Sequence, residues 1–457
     1  MKKLVLSFLL IVVLLCTSIP AFAKGGFENV KEYVLDNGLK VLLLEEHKAP
    51  VAVFQIWYKV GSRYEPYQEA GISHMLEHMM FRGSKRFGPK TFSRIVQRYG
   101  GSDNAFTSQD YTAYFQTFAS DRIWLSFDLE SDRMNGLLLK DKDFQYERNV
   151  VAEERRTRTD SEPEAALGEQ TQAAAYVLHP YHWPIIGWMD NIQNYTIEDV
   201  QKHYKTYYMP NNATIVVVGD IDADKTIAEI KDKFGGIPRG PEPPKVVVQE
   251  PPQQGERRVY LKKEAQLPTV DILYHAPNLQ NQDAFALDVL GTILSGGRSA
   301  RLYKSLVYDK QIAQYADADY DEVTKDPETF SFSAGVMPGK TADEVEKAIY
   351  GEIDKVQSQP VTDRELQKAK NQIEAGFIMG QDSNFNRAMM LGRYESVASW
   401  KLLNSYLDGI RKVTKEDVER VAKTYLTPDN RTVGTLIPIP ITHKMAPAMP
   451  AEGGAVR

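Results

Sequence analysis

Residues 74 to 78 read His-Met-Leu-Glu-His. Successive residues of a helix turn by about 100°, so His74 and His78 stack one turn apart with Glu77 between them on the same face. Two imidazoles and a carboxylate then converge on one point. A catalytic zinc ion takes three protein ligands from histidine nitrogen or carboxylate oxygen and keeps its fourth position for water. The pentad offers two such ligands and a base beside them. A solvated helix face could carry the same residues, but Ile72, Met75, Leu76, Met79, Met80 and Phe81 surround them, the pattern of a buried helix. Buried histidine and glutamate, with no cation on the helix before Arg82, need a compensating partner, and a metal ion provides one. The chain has only eight histidines, which makes a chance pairing less frequent.

A third ligand has to come from elsewhere in the chain. Residues 143 to 158 form a second candidate helix, in which Glu147 and Glu154 lie seven apart, with Val150 and Val151 between them. Two turns bring both carboxylates to one stripe. Glu153, adjacent to Glu154, competes for the role, and spacing alone leaves the choice open.

The inverted order His-x-x-Glu-His marks the inverzincins. The surrounding run Gly71-Ile-Ser-His-Met-Leu-Glu-His-Met-Met-Phe-Arg-Gly83 closely resembles the pitrilysin, insulinase and mitochondrial processing peptidase family. Gly100-Gly101, Asn104-Ala105-Phe106-Thr107 and Asp110-Tyr111-Thr112 look like that family's substrate-side edge strand, and Glu147-Arg148-Asn149-Val150 leading to Glu154 looks like its distal acidic helix. The resemblance runs from about residue 30 to 437. It implies a zinc-dependent endopeptidase holding one zinc ion on His74, His78 and Glu154. Glu77 would be the general base and Glu147 an assisting carboxylate. Peptide substrates would bind along Asn104, Ala105, Phe106 and Thr107 inside a chamber that favours unfolded chains. The family also contains scaffold subunits, so a non-catalytic structural or peptide-binding subunit is the alternative.

The elements that must position these residues are legible in outline. Residues 1 to 23 open Met-Lys-Lys, continue apolar from Leu4 to Cys16 and close Pro20-Ala-Phe-Ala23, the form of a cleavable secretory signal. The run is too short for a stable membrane anchor. Export to a periplasm or the exterior is expected. The only cysteine, Cys16, would leave with the signal, so no disulfide or thiolate ligand is expected. Losing Lys2 and Lys3 would take the formal charge from −6 to −8, which gives no sign of nucleic-acid binding.

An internal repeat divides the rest. Thr196-Ile-Glu-Asp-Val, Lys205-Thr-Tyr and Pro210-Asn-Asn-Ala-Thr214 recur as Thr414-Lys-Glu-Asp-Val, Lys423-Thr-Tyr and Pro428-Asp-Asn-Arg-Thr432. Each copy has a threonine cap, acidic residues in the first helical turn, a proline break and a β-rich continuation such as Ile215 to Val218. Two homologous domains are implied, 27–236 with the pentad and 257–437 without it, joined by a Pro-rich linker over 237–256. Residues 438–457 read as a disordered tail. Tyr33–Leu35 and Leu39–Leu44 flank Asp36-Asn37-Gly38 as a hairpin, and Val51–Val60 follows as a strand. The fold class expected is α+β, each domain an antiparallel sheet with helices packed on one face.

Aligning Gln68-Glu-Ala70 with Gln282-Asp-Ala284 sets Asp288, Gly291 and Thr292 opposite His74, Glu77 and His78, so the second domain has no metal site. In the family a downstream half supplies an arginine and a tyrosine that hold the substrate backbone. Val307 and Gln314 align there, with Arg298, Arg301 and Tyr315 nearby. The resemblance therefore implies a heterodimer with a metal-free homologous subunit carrying the pair, or a homodimer.

Overall fold

In the computed structural model residues 26–440 are described, so the expected signal over 1–23 and residues 441–457 of the expected tail lie outside them. The hairpin forms where it was read: β1 (Lys31–Val34) turns into β2 (Lys40–Glu45). Gly38 takes φ +89, a left-handed value that glycine adopts without strain. The Asn37 amide donates to the carbonyls of Phe234 and Ile237, each at 2.9 Å, and ties the turn to the end of helix Ala223–Phe234. Then follow β3 (Val51–Tyr58), β4 (Ser102–Thr107), β5 (Thr112–Ala119) and β6 (Ala213–Gly219), which assemble in the order β1-β2-β6-β3-β5-β4.

The second half repeats this plan with β7 (Arg257–Glu264), β8 (Thr269–Ala276), β9 (Ala313–Tyr320), β10 (Glu328–Val336) and β11 (Arg431–Ile439), ordered β7-β11-β8-β10-β9. The two orders superpose once β1 is set aside. Both sheets are antiparallel apart from one parallel pair each, β2 with β6 and β7 with β11. Those pairs join the first strand of a unit to its last, so a long crossover replaces a hairpin. β11 also runs through Pro438 and Ile439, beyond the expected start of the tail, because both residues pair with β7.

The repeated sequence motif has a structural reason. Thr196 and Thr414 each close a capping box, with Asp199 and Asp417, on helices Ile197–Tyr207 and Lys415–Tyr425. After the proline turn, the Asn212 amide donates to the Tyr207 carbonyl at 2.9 Å and the Asn430 amide to that of Tyr425 at 2.7 Å. Each asparagine satisfies a helix-end carbonyl and launches a central strand. Thr362 and Glu365 form a further box.

Each sheet carries its own helices on one face. In the first half Leu43, Phe54, Ile56, Ile215 and Val217 meet Met75, Leu76, Val200 and Ile227. The opposite faces are covered by exchange. Leu42, Val53, Trp57, Val216 and Val218 pack against Leu391, Tyr394 and Val397 of helix Asn384–Val397, which belongs to the second half. Gly392 is required there, since a Cβ would lie 2.1 Å from the Trp57 indole nitrogen. Reciprocally, helix Pro163–Ala175 of the first half lies on β7, β8 and β11, with Gly434 against Thr171. Each fully buried Leu or Val at these faces contributes about 1.5–3 kcal/mol. Between the halves, residues 238–256 have no regular elements, and the Glu250 carboxylate accepts the backbone N–H groups of Val177, Leu178 and His179. No helix among the described residues is long and apolar enough to cross a membrane.

Candidate metal centre and its cleft

The pentad lies on helix Ile72–Met79. Its first turn is held by the buried Glu65, whose two carboxylate oxygens accept the N–H groups of Gly71 at 2.6 Å and Ser73 at 2.7 Å. Burial pushes Glu65 up to about 7 against those two donors. Gly71 takes φ +93 and lies so close to the Ile186 carbonyl that a Cβ would be 2.4 Å from it. The helix is thus wedged between a carboxylate cap and the loop Pro184–Gly187. Ile72, Met75, Leu76 and Met79 face the core, which leaves His74, Glu77 and His78 on the remaining side.

The second helix, Asp141–Arg155, brings up the partners. Glu154 Oε2 lies 3.3 Å from His78 Nε2 and 3.8 Å from His74 Nε2. Glu147, two turns earlier, has Oε2 at 3.1 Å from His78 Nδ1 and its other oxygen against the Arg82 guanidinium. Glu153 points away, exposed and paired with Arg156 at 2.9 Å. Of the two glutamates that spacing left open, Glu154 is the one whose carboxylate lies beside the histidines. Among the described residues His74, His78 and Glu154 form the one group of histidine, cysteine or carboxylate ligands near enough to share a metal ion, with all three donor atoms within 4.8 Å of one another. Tetrahedral zinc with bonds of about 2.0–2.2 Å separates its ligand atoms by about 3.3–3.6 Å. The 3.3 Å from His78 to Glu154 falls in that range and the 3.8 Å from His74 lies just above it, and the two-nitrogen, one-oxygen donor set suits the ion.

Protonation favours ligation too. Burial, then the neighbouring His78, holds His74 down to about 4, so its ring is neutral near pH 7. The contact with His78 holds the Glu154 carboxyl below its ordinary value against burial, and the Arg158 guanidinium adds to the effect. Glu77 is pushed up by burial, and its Oε2 accepts the Thr107 hydroxyl at 2.6 Å, which opposes the rise.

Thr107 ends β4, which pairs only with β5 and forms the sheet's edge, as read from the sequence. Asn104, Ala105, Phe106 and Thr107 line one wall of a cleft of about 1320 Å³, and Val150, Glu154, Thr157 and Arg158 line another. Among the described residues nothing beyond Ile186 lines it. Val307 is half-buried in the turn Tyr303–Asp309, Gln314 is exposed on β9, and Arg301 is paired with Glu365 at 2.8 Å. Tyr315 packs over Gly335. His179 lies away from the cleft, its Nε2 2.9 Å from Asp326 Oδ2. Sequence reasoning missed Glu65, Arg82 and Arg158, since nothing in their spacing tells which carboxylate or helix end each will meet.

Residues 40–187 match the family model described as Insulinase (Peptidase family M16), and residues 194–373 match that of the Peptidase M16 inactive domain. The chain belongs to peptidase family M16. The zinc protease PqqE of Helicobacter pylori is 35% identical over 420 residues, covering 91% of this chain and 94% of that one. The crystal structure of a protease from Helicobacter pylori matches with a TM-score of 0.87 at 35% identity, over 90% of this chain and 99% of that one. The probable β subunit of the mitochondrial processing peptidase of Arabidopsis thaliana is 24% identical over 415 residues, 89% of this chain and 78% of the relative. M16 membership agrees with the paired sheet-and-helix halves, and the model that matches the second half is the one described as inactive.

Proposed function

We propose that this M16 chain is a zinc-dependent endopeptidase that hydrolyses peptides or unfolded polypeptides. The reading is carried by the convergence of His74, His78 and Glu154 within the reach of one ion, beside the Glu77 carboxylate. Zinc bound there would acidify a water molecule and polarise the scissile carbonyl. Glu77 takes the water proton and passes it to the leaving amine. Thr107 occupies Oε2 of Glu77, which leaves Oε1 as the accepting atom. With Glu147 accepting the Nδ1 proton of His78, Nε2 would be free to hold the ion. An extended substrate adds to β4 as a further strand, through main-chain hydrogen bonds that tolerate varied sequences.

Cleavage of an unfolded peptide should stop on chelation and return with zinc. Turnover that survives complete chelation overturns the reading. A folded protein carrying the same cleavage sequence should compete poorly, and equal rates would speak against enclosure.

A second reading, a peptide-binding subunit without activity of its own, is favoured by the cleft's being lined from the first half alone and by Val307 and Gln314 in the second. Both readings include a partner chain, either a second copy or a metal-free homologue carrying the arginine and tyrosine. The plant relative's name marks it as one subunit of a larger peptidase. Robust turnover by the purified single chain would remove the need for a different partner. Residues 1–23 support export, to a periplasm or beyond, by a cleaved signal.

A further inference from the structure

The chain leaves α-helical geometry after Arg155, one residue beyond Glu154. Helix Asp141–Arg155 gives way to a π-helical turn over Arg156–Asp160, a wider turn that recurs at functional sites. The turn is firmly built. The Thr157 hydroxyl donates to the carbonyls of Glu153 and Glu154 at 3.0 and 3.1 Å. Arg155 donates to Glu169 at 2.8 and 2.9 Å and to the Gly187 carbonyl at 2.7 Å. As a result Arg158 comes back over Glu154, with Nη1 at 2.6 Å from Oε1. The other oxygen, Oε2, is the one that faces His74 and His78. The adjacent pair Glu153 and Arg156 has the same residue types and points to solvent, 64% and 52% exposed.

A glutamate side chain has three rotatable bonds and two equivalent oxygens, so an untethered Glu154 would offer a metal many orientations, most of them unproductive. A guanidinium on one oxygen removes that freedom and leaves the second oxygen presented. We propose that Arg158 is a positioning residue that holds Glu154 in the ligating orientation and so raises the affinity of the site for zinc. This rests on the reading of His74, His78 and Glu154 as a zinc site. Hydrogen-bond partners of ligand side chains typically change metal affinity by about 10–100-fold. Arg158 is 77% exposed, so its removal leaves the fold intact.

The test is the zinc dissociation constant of the full chain, stripped of metal and titrated in competition with a chelating fluorophore, for wild type, Arg158→Ala, Arg158→Lys and Arg156→Ala. Arg158→Ala should weaken zinc binding by about 10–100-fold. Arg158→Lys should recover part of the loss, Arg156→Ala should bind as wild type does, and the peptide KM at saturating zinc should not move. Equal metal-free thermal midpoints exclude a folding defect in any variant. Wild-type zinc affinity in Arg158→Ala overturns the proposal, and a raised KM alongside it would assign the guanidinium to substrate instead. A wild-type chain that takes up no zinc overturns the site reading itself, a result distinct from the failure of Arg158 alone.

Discussion

Replacing Glu77 by glutamine separates the base from the ligands. The amide has nearly the volume of the carboxylate and can still accept the Thr107 hydroxyl, which lies 2.6 Å from Oε2. His74, His78 and Glu154 are untouched, so zinc stoichiometry should equal that of wild type. The variant also exchanges a carboxylate that burial disfavours for a neutral group, so the metal-free protein should be no less stable. Proton transfer is what it loses. A positioned general base contributes about 10²–10⁴-fold, which corresponds to about 2.7–5.4 kcal/mol of barrier at 1.36 kcal/mol per decade. The assay is kcat/KM on a quenched fluorescent peptide, with zinc measured on the same sample and mass spectrometry excluding deamidation back to glutamate. A kcat/KM within about threefold of wild type, in fully zinc-loaded protein, refutes Glu77 as the base.

Thr107→Val removes the donor that holds the Glu77 carboxyl down, so the acid limb of the kcat/KM profile should move to higher pH while Thr107→Ser keeps the wild-type position; identical limbs for all three would exclude the contact from catalysis. Glu154→Gln should lose zinc, and Glu153→Gln, at the exposed neighbour, should retain it, as elemental analysis of dialysed protein would register. Glu322 and Glu328 are both raised from an ordinary 4.5 to about 8, by burial first and then by nearby acidic charges. A carboxyl raised by folding contributes stability that is complete below its unfolded value and lost as pH rises through its folded one. The metal-free thermal midpoint should therefore fall as pH climbs from about 5 to above 8, and Glu322→Gln should flatten that slope; an unchanged slope counts against the assignment. Leu391→Ala, at the face shared with Trp57 and Val216, should cost about 2–5 kcal/mol by denaturant unfolding, and a loss below about 1 kcal/mol would mean the exchanged helix is not tightly seated.

The site was legible where chemistry restricts residue type. Few patterns other than a metal site place His74, Glu77 and His78 on the polar stripe of an otherwise apolar helix, and Asn212 and Asn430 betrayed the repeat because each closes a turn that needs a side-chain donor. Glu154 could not be told from Glu153 by spacing, since adjacent residues diverge by about 100° and only the opposing helix decides which direction is inward. The exchange of helices was hidden for a similar reason. Leu391, Tyr394 and Val397 announce an apolar face without naming the sheet it meets. The run Ile215–Val218 is apolar at every position because β6 is covered on both sides, with Ile215 and Val217 in one core and Val216 and Val218 in the other. Arg82 and Arg158 were ordinary surface cations until the fold set them beside Glu147 and Glu154.

Because the helices Asn384–Val397 and Pro163–Ala175 each lie across the sheet of the opposite half, each half relies on the other to cover an apolar sheet face. Cutting the chain between residues 237 and 257 and expressing the pieces apart would strip two broad greasy surfaces, and insoluble material is the foreseeable product. A jaw-like parting of the two halves would have to break the same interlock. If the chain takes polypeptides as proposed, a wall around them would be lent by another molecule, and the timing of capture and release would be set by how two chains meet rather than by how one chain bends.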